Sequence, residues 1–204
     1  MHLVIHRRII GALLLVAIAA KLSAQPSAII LVRHAEKAAT PASDPGLTPI
    51  GVQRAADLAA ALSDAHVNAI VTTQLERAKA TAKPLADAAR IAPTIVPTSS
   101  DLAAHVNAVV AAVASGKPGD VVLVVGHSNT IPAIIAALGG PAGPDLCDAE
   151  YSNLFVLVLE PAVVGTAAAT AAGGRVETAH LVRSHYGQPD DPAAVRACAT
   201  MTPR

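Results

Sequence analysis

Two runs of Val, Ile and Leu in this chain each lead to a histidine. Residues 28–32 come directly before Arg33 and His34, and residues 121–125 end two positions before His127. Such continuous apolar runs are typical of strands that are buried on both faces of a parallel sheet. In these sheets, ligands bind beyond the carboxyl ends of the strands. The two imidazoles, one with an arginine beside it, therefore predict a single anion-binding site formed by two distant parts of the chain.

Apolar strand-like runs alternate with alanine-rich helical stretches along the remaining chain, which is typical of an α/β domain. We therefore expect a three-layer sandwich with a mostly parallel central sheet and helices on both faces. The 204 residues suit one such domain, at 25–204. Strands are expected near 27–33, 69–72, 95–96, 121–125, 153–159 and 176–184, and helices near 49–62, 76–89, 102–114 and from 130 onward.

The first 24 residues have the pattern of a secretory signal peptide. Arg7 and Arg8 precede an apolar run at residues 9–20, and small residues surround the expected cleavage point after Ala24. Twelve apolar residues are too few for a transmembrane helix, so no stable membrane span is expected after cleavage. A retained signal anchor is the alternative. The leader predicts a periplasmic or secreted protein of a bacterium.

The charge balance excludes one broad class of function. Three of the 15 Lys and Arg residues and none of the 15 Asp and Glu residues lie within 1–24, so residues 25–204 carry a formal charge of −3. A nucleic-acid-binding domain is instead usually basic over a broad surface. We therefore expect no nucleic-acid partner, and any anionic ligand would bind to a few focused positive groups.

Cys147 and Cys198 are the only cysteines. An even pair in an exported chain is compatible with a disulfide, and two buried free thiols are the alternative. A metal site built on two cysteines this far apart, without clustered histidines, is not expected.

Three segments together resemble the signature of the histidine phosphatase superfamily, which has the phosphoglycerate mutase-like fold. Residues 31–37 carry an Arg-His pair at the end of the first strand. Residues 72–82 resemble the block in which an arginine opens the helix after the second strand. Residues 125–128 resemble the block with the second histidine. The order of the blocks identifies the chain as a branch 1 member, and the leader marks it as an exported bacterial one.

The resemblance assigns these residues roles that agree with their chemistry. Arg33 and Arg77 can each donate two hydrogen bonds to phosphate oxygens, and His127 adds a further donor. His34 is expected to be the nucleophile that forms a phosphohistidine. Because a neighbouring positive charge disfavours protonation, the two arginines help to keep His34 neutral, as a nucleophile must be.

Two carboxylates are candidates for the general acid that protonates the leaving oxygen. Mutase-related members of the family supply one between the second arginine block and the second histidine, and Asp101 occupies a comparable place. Asp101 is equally suited to cap a helix. Glu36, two residues after His34, is the other candidate. The chain also has Ala35 where the family commonly has glycine.

The sequence thus predicts a phosphatase that hydrolyses phosphomonoesters through a phosphohistidine, with no metal or organic cofactor. The expected partner is a small phosphorylated substrate or a phosphorylated component of the cell envelope. A non-catalytic phosphate-binding protein on the same fold is the first alternative. The second is a serine hydrolase that uses Ser128 with a later aspartate (Asp145 or Asp148) and histidine (His180 or His185). A phosphoglycerate mutase would need an intracellular substrate, which the leader contradicts.

Overall fold

A six-stranded mixed sheet forms the centre of the computed structural model, which describes residues 26–159 and 179–199. The expected signal peptide lies outside the described residues. The strand order is β3-β2-β4-β1-β5-β6. The strands are β1 (Ala28–Arg33), β2 (Ala69–Thr72), β3 (Thr94–Ile95), β4 (Val121–Gly126), β5 (Asn153–Leu159) and β6 (Ala179–His185).

Four strands pair in parallel, and β5 and β6 extend the sheet on one side by antiparallel pairing. β1 pairs in parallel with β4, and β2 pairs in parallel with both β3 and β4. β5 pairs antiparallel with β1, and β6 antiparallel with β5. The expected mostly parallel sheet is confirmed, and β3 begins one residue before its expected position. The first three residues of the last expected strand, 176–178, lie outside the described residues. Because β1 and β4 are adjacent and parallel, His34 and His127 both lie at the carboxyl ends of these strands.

Helices cover both faces of the sheet, which confirms the three-layer architecture. They are α1 (Pro49–Ala61), α2 (Glu76–Ala89), α3 (Leu102–Ala114), α4 (Thr130–Ala137) and α5 (Pro192–Ala199). Apolar side chains of α3 and α4 pack on one face, and those of α1 and α2 pack on the other. Helix α5 was not expected from the sequence. Within the described residues, no helix is both long and apolar enough to cross a membrane.

The start of α1 is fixed against the turn that follows β1. Thr48 caps the helix by accepting a hydrogen bond from the Gly51 backbone N–H at 3.0 Å, and Pro49 occupies the first helical position. The Thr48 N–H donates to the Glu36 carbonyl at 2.8 Å. A Cβ at Gly51 would overlap that same carbonyl, so only glycine permits this close approach. The contact places α1 directly beside the residues that follow His34.

Candidate active site

The imidazoles of His34 and His127 lie next to each other where β1 and β4 end. The His34 N–H donates to the Gly126 carbonyl at 2.9 Å, which extends the pairing of the two strands by one residue. The ring centroids are 5.3 Å apart. Both side chains are buried. The structure therefore brings together the two histidines that the sequence predicts to share a site.

The hydrogen bonds of His34 define which ring nitrogen is available for attack. Nδ1 lies 2.8 Å from the Ala35 carbonyl oxygen, which can only accept, so Nδ1 carries the proton. The lone pair is therefore on Nε2, and the Arg77 Nε–H donates to it at 3.2 Å. A neutral imidazole in this tautomer presents Nε2 as the nucleophilic atom.

The surroundings of His34 favour the neutral ring. Burial lowers the pKa of His34 to about 3, and the electrostatic interactions with His127, Arg33 and Arg77 act in the same direction. The hydrogen bond to the Ala35 carbonyl partly opposes this shift. The two arginines thus have the expected effect, but desolvation is the larger cause.

Arg33 is almost fully buried and is held by several oxygens. Its Nη1 donates to the carbonyls of Cys147 at 2.7 Å and Glu150 at 3.3 Å, and its Nη2 pairs with Asp148 at 3.3 Å. The guanidinium carbon lies 4.2 Å from the centre of the Tyr151 ring. Its buried Nε–H has no hydrogen-bond partner among the described residues. A ligand oxygen could accept this hydrogen bond.

Arg77 lies at the start of α2 and is less buried than Arg33. Its Nη1 lies 3.9 Å from a carboxylate oxygen of Asp44, which also accepts the Glu76 backbone N–H at 3.0 Å. Asp44 therefore caps α2 from a distant loop. A phosphate bound beside His34 could replace the imidazole as the acceptor for the Arg77 Nε–H.

His127 is also neutral and fixed by threonines. Its Nε2 lies 3.2 Å from the Thr73 hydroxyl, and its backbone N–H donates to the Thr130 hydroxyl at 2.8 Å. Burial lowers its pKa to about 4, with Arg77, His105 and Arg33 contributing to the shift in that order. Its Nδ1 is buried without a partner in the described part of the chain.

Ala35 connects the first strand to α2. Its N–H donates to the Thr81 hydroxyl at 2.9 Å, and that hydroxyl donates to the Arg77 carbonyl at 2.7 Å. The Ala35 side chain is fully buried. Alanine is thus accommodated at this position, and Thr81 links the residue after His34 to the backbone of Arg77.

The two carboxylates expected to serve as general acid both have other partners. Glu36 accepts three hydrogen bonds from the buried Arg54, the shortest at 2.7 Å. The Asp101 carboxylate accepts the Ala104 N–H at 3.2 Å and caps α3. The catalytic roles of Glu36 and Asp101 therefore stay predictions.

Cys147 and Cys198 form a disulfide with a Cα–Cα distance of 5.7 Å, as the sequence predicts. Cys147 also provides the carbonyl that accepts the shortest hydrogen bond from Arg33. The disulfide thus joins α5 to the loop that holds a phosphate-binding candidate. Among residues 26–159 and 179–199, no group of three or more His, Cys, Asp or Glu side chains could hold a metal ion.

Four residues of the site were not predicted from the sequence. Tyr151 stacks on Arg33, Thr73 contacts His127, Thr81 holds Ala35, and Arg54 pairs with Glu36. Thr73 directly follows the second strand, and this position was the one signal that could have identified it. The serine hydrolase alternative pairs Ser128 with a later histidine. The recorded serine contact of one candidate, His185, is with the hydroxyl of Ser152 at 3.1 Å.

Comparisons with known proteins show similarity of fold. The chain is similar in fold to the protein histidine phosphatase SixA complexed with tungstate, with a TM-score of 0.57 and 16% identity over 78% of this chain and 96% of the other. It is also similar to a putative phosphohistidine phosphatase SixA from Agrobacterium tumefaciens, with a TM-score of 0.51 and 23% identity over 81% of this chain and 99% of the other.

A third structure is the mycobacterial glucosyl-3-phosphoglycerate phosphatase with inorganic phosphate, with a TM-score of 0.54 and 17% identity over 76% of this chain and 95% of the other. No curated protein matches the chain. The model of the histidine phosphatase superfamily (branch 1) matches residues 29–102, which include the Arg-His pair and Arg77. Over these residues the chain is similar to that superfamily, and its fold is similar to those of the phosphatases named above.

Proposed function

We propose that the protein is a phosphatase that hydrolyses phosphomonoesters through a phosphohistidine on His34. One observation carries the proposal: the unprotonated Nε2 of His34 is in contact with Arg77 and lies beside Arg33 and His127. A nucleophile surrounded by phosphate-binding donors suits phosphoryl transfer, in which catalysis depends on positioning and on stabilisation of charge.

The reaction proceeds in two displacements. Nε2 of His34 attacks phosphorus, and the bond from phosphorus to the leaving oxygen breaks. Nδ1 keeps its proton and its bond to the Ala35 carbonyl, which supports the positive charge of the phosphorylated ring. Water then attacks phosphorus, the P–N bond breaks, and inorganic phosphate leaves. Arg33, Arg77 and His127 donate hydrogen bonds to the phosphoryl oxygens in both steps.

The proposed substrate is a small phosphorylated compound or a phosphorylated component of the cell envelope. The named structural neighbours include a protein histidine phosphatase and a glucosyl-3-phosphoglycerate phosphatase, so proteins and small molecules both fit this fold. Export to the periplasm or beyond stays part of the proposal and rests on the pattern of residues 1–24.

The test is the hydrolysis of 4-nitrophenyl phosphate in the presence of EDTA by the wild-type protein and His34→Ala. We expect wild-type activity and a loss of at least about 10³-fold in the variant, as for other nucleophile deletions. His66→Asn is the matched control. His66 is exposed and precedes β2, so it lies at the amino-terminal ends of the parallel strands, away from the two histidines at their carboxyl ends. Its activity should equal that of the wild type.

Three outcomes would contradict the proposal. Equal activity of His34→Ala and wild type would exclude His34 as the nucleophile. Activity that disappears with EDTA would exclude metal-independent chemistry. Binding of inorganic phosphate without turnover of any ester would favour the phosphate-binding alternative.

A further inference from the structure

Hydrolysis of an alkyl phosphate needs a proton donor, because the leaving oxygen departs poorly as an alkoxide and readily as an alcohol. The carboxylates that surround the two arginines are already engaged. Glu36 is bound by Arg54, Asp148 pairs with Arg33, and Asp44 pairs with Arg77 and caps α2. Each of these carboxylates therefore already has an arginine as its partner.

The phenol of Tyr151 lies among the same groups. Its ring centroid is 6.4 Å from that of His34, and the Arg33 guanidinium covers its face at 4.2 Å. Its backbone N–H donates to Asp190 at 3.0 Å, so the residue is tied to the C-terminal part of the fold. Tyr151 is partly exposed, as a group must be if it is to meet an incoming substrate.

The charges around Tyr151 suit an acid that later acts as a base. Burial raises the pKa of the phenol, so it is protonated at neutral pH. Arg33 and Arg54 favour the phenolate, whereas Asp148 and Glu36 oppose it. The phenol also interacts electrostatically with Arg77. Both phosphate-binding arginines can therefore stabilise the negative charge that proton donation leaves on the oxygen.

We propose that Tyr151 is the general acid of the phosphatase, donating its phenolic proton to the leaving oxygen of the substrate. This inference rests on the proposed function. As the P–N bond to His34 forms and the P–O bond breaks, the phenolic proton moves to the leaving oxygen and Tyr151 becomes a phenolate. In the second step the phenolate takes a proton from the attacking water, the P–N bond breaks, and both residues return to their starting states.

The test compares wild type and Tyr151→Phe on two substrates, 4-nitrophenyl phosphate and glycerol 1-phosphate. The value of kcat/KM reports the steps up to phosphorylation of His34, in which the leaving group departs. Tyr151→Phe keeps the ring against Arg33 and removes only the hydroxyl. Nitrophenolate leaves without a proton, so kcat/KM for the aryl ester should fall less than about 3-fold, whereas that for the alkyl ester should fall about 10²- to 10⁴-fold.

Two further variants separate proton donation from positioning. Tyr186→Phe is the matched control, because this tyrosine is buried and its hydroxyl has no partner among the described residues. It should leave the ratio of the two kcat/KM values unchanged. Tyr151→Leu removes the stacking on Arg33 as well, so it should also weaken the binding of inorganic phosphate. Tyr151→Phe should bind phosphate with wild-type Kd, which also demonstrates an intact fold.

Equal losses on both esters, or no loss on either, would overturn the assignment of Tyr151. So would a selective loss on glycerol 1-phosphate in Glu36→Gln or Asp101→Asn that is absent in Tyr151→Phe. A wild-type protein that hydrolyses neither ester nor any other phosphomonoester would instead overturn the proposed function, and the inference with it.

Discussion

Single residues determine the protonation state on which the chemistry of the site depends. In the proposed mechanism neutral His34 attacks phosphorus, whereas a protonated ring has no lone pair to offer. Both nitrogens have assigned roles, because the Ala35 carbonyl accepts from Nδ1 and Arg77 donates to Nε2. The burial that favours the neutral ring also makes the folded state sensitive to acid.

The shifted pKa of His34 predicts a specific dependence of stability on pH. The unfolded chain binds a proton at about pH 6.5, whereas the folded chain binds it only near pH 3, where the pKa of buried His34 lies. Stability is therefore complete above the unfolded pKa and is lost as the pH falls towards the folded one. The contribution of this residue should fall by about 1.4 kcal/mol for each pH unit in that window.

This prediction can be measured by urea unfolding of wild type and His34→Asn between pH 7 and pH 5. The stability of the variant relative to the wild type should increase as the pH falls. A difference that does not vary with pH would mean that His34 titrates equally in both states. NMR titration of its imidazole provides a second check, since a midpoint near 6.5 would contradict the lowered pKa.

Substitution of Arg77 tests whether the proposed phosphate site needs a guanidinium. We expect Arg77→Lys to lower kcat/KM by about 10- to 200-fold, because lysine cannot donate two parallel hydrogen bonds. This range corresponds to the loss of one charged hydrogen bond, which contributes about 1.5–3 kcal/mol. Arg90→Lys is the control, since Arg90 is exposed at the end of α2. Hydrolysis of 4-nitrophenyl phosphate measures both. Unchanged kinetics in Arg77→Lys would show that only the positive charge matters.

At the scale of elements, α1 is attached to the active-site turn by a buried ion pair. Arg54 donates to Glu36, to the carbonyls of Tyr186 and Gln188, and lies 3.8 Å from Asp190. One guanidinium thus joins the helix to the turn after His34 and to the segment after β6. Its removal would leave the partly buried Glu36 carboxylate and the buried Tyr186 carbonyl without this donor.

We expect Arg54→Met to lower the free energy of unfolding by about 3–5 kcal/mol, as when one partner of a buried ion pair is removed. The control is Lys83→Met, which removes the cation of an exposed pair with Asp87 and should cost less than about 1 kcal/mol. Urea denaturation measures both variants. A loss in Arg54→Met no larger than that in the control would show that the network does not stabilise the fold.

The sequence predicted most elements but few of the contacts between them. Periodicity and caps located α1, α2 and α3, because those signals are local. The contact between Arg54 and Glu36 spans 18 residues, and that between Arg33 and Glu150 spans 117. Such pairs depend on how loops return to the sheet, which no local pattern records. Tyr151 was unassigned for the same reason.

At the scale of the whole molecule, the site combines side chains that the sheet places together with an arginine that a loop between α4 and β5 holds. The sheet places His34, Arg77 and His127 together, and this arrangement follows from strand order alone. Arg33, in contrast, is held by the loop that contains Cys147, and the disulfide to Cys198 connects this loop to α5. Stability and phosphate binding should therefore both depend on one covalent bond.

Reduction of the disulfide tests this link. The bridge spans 51 residues, and its loss should lower the free energy of unfolding by about 4 kcal/mol in the chain-entropy model. Because the Cys147 carbonyl would be less firmly held against Arg33, KM for 4-nitrophenyl phosphate should rise by up to about 10-fold while kcat changes little. A double variant, Cys147→Ser with Cys198→Ser, should show the same values and no further response to reductant. If reductant lowers stability but leaves KM unchanged, the bridge stabilises the domain without positioning Arg33. If the double variant still responds to reductant, the effect does not arise from this disulfide.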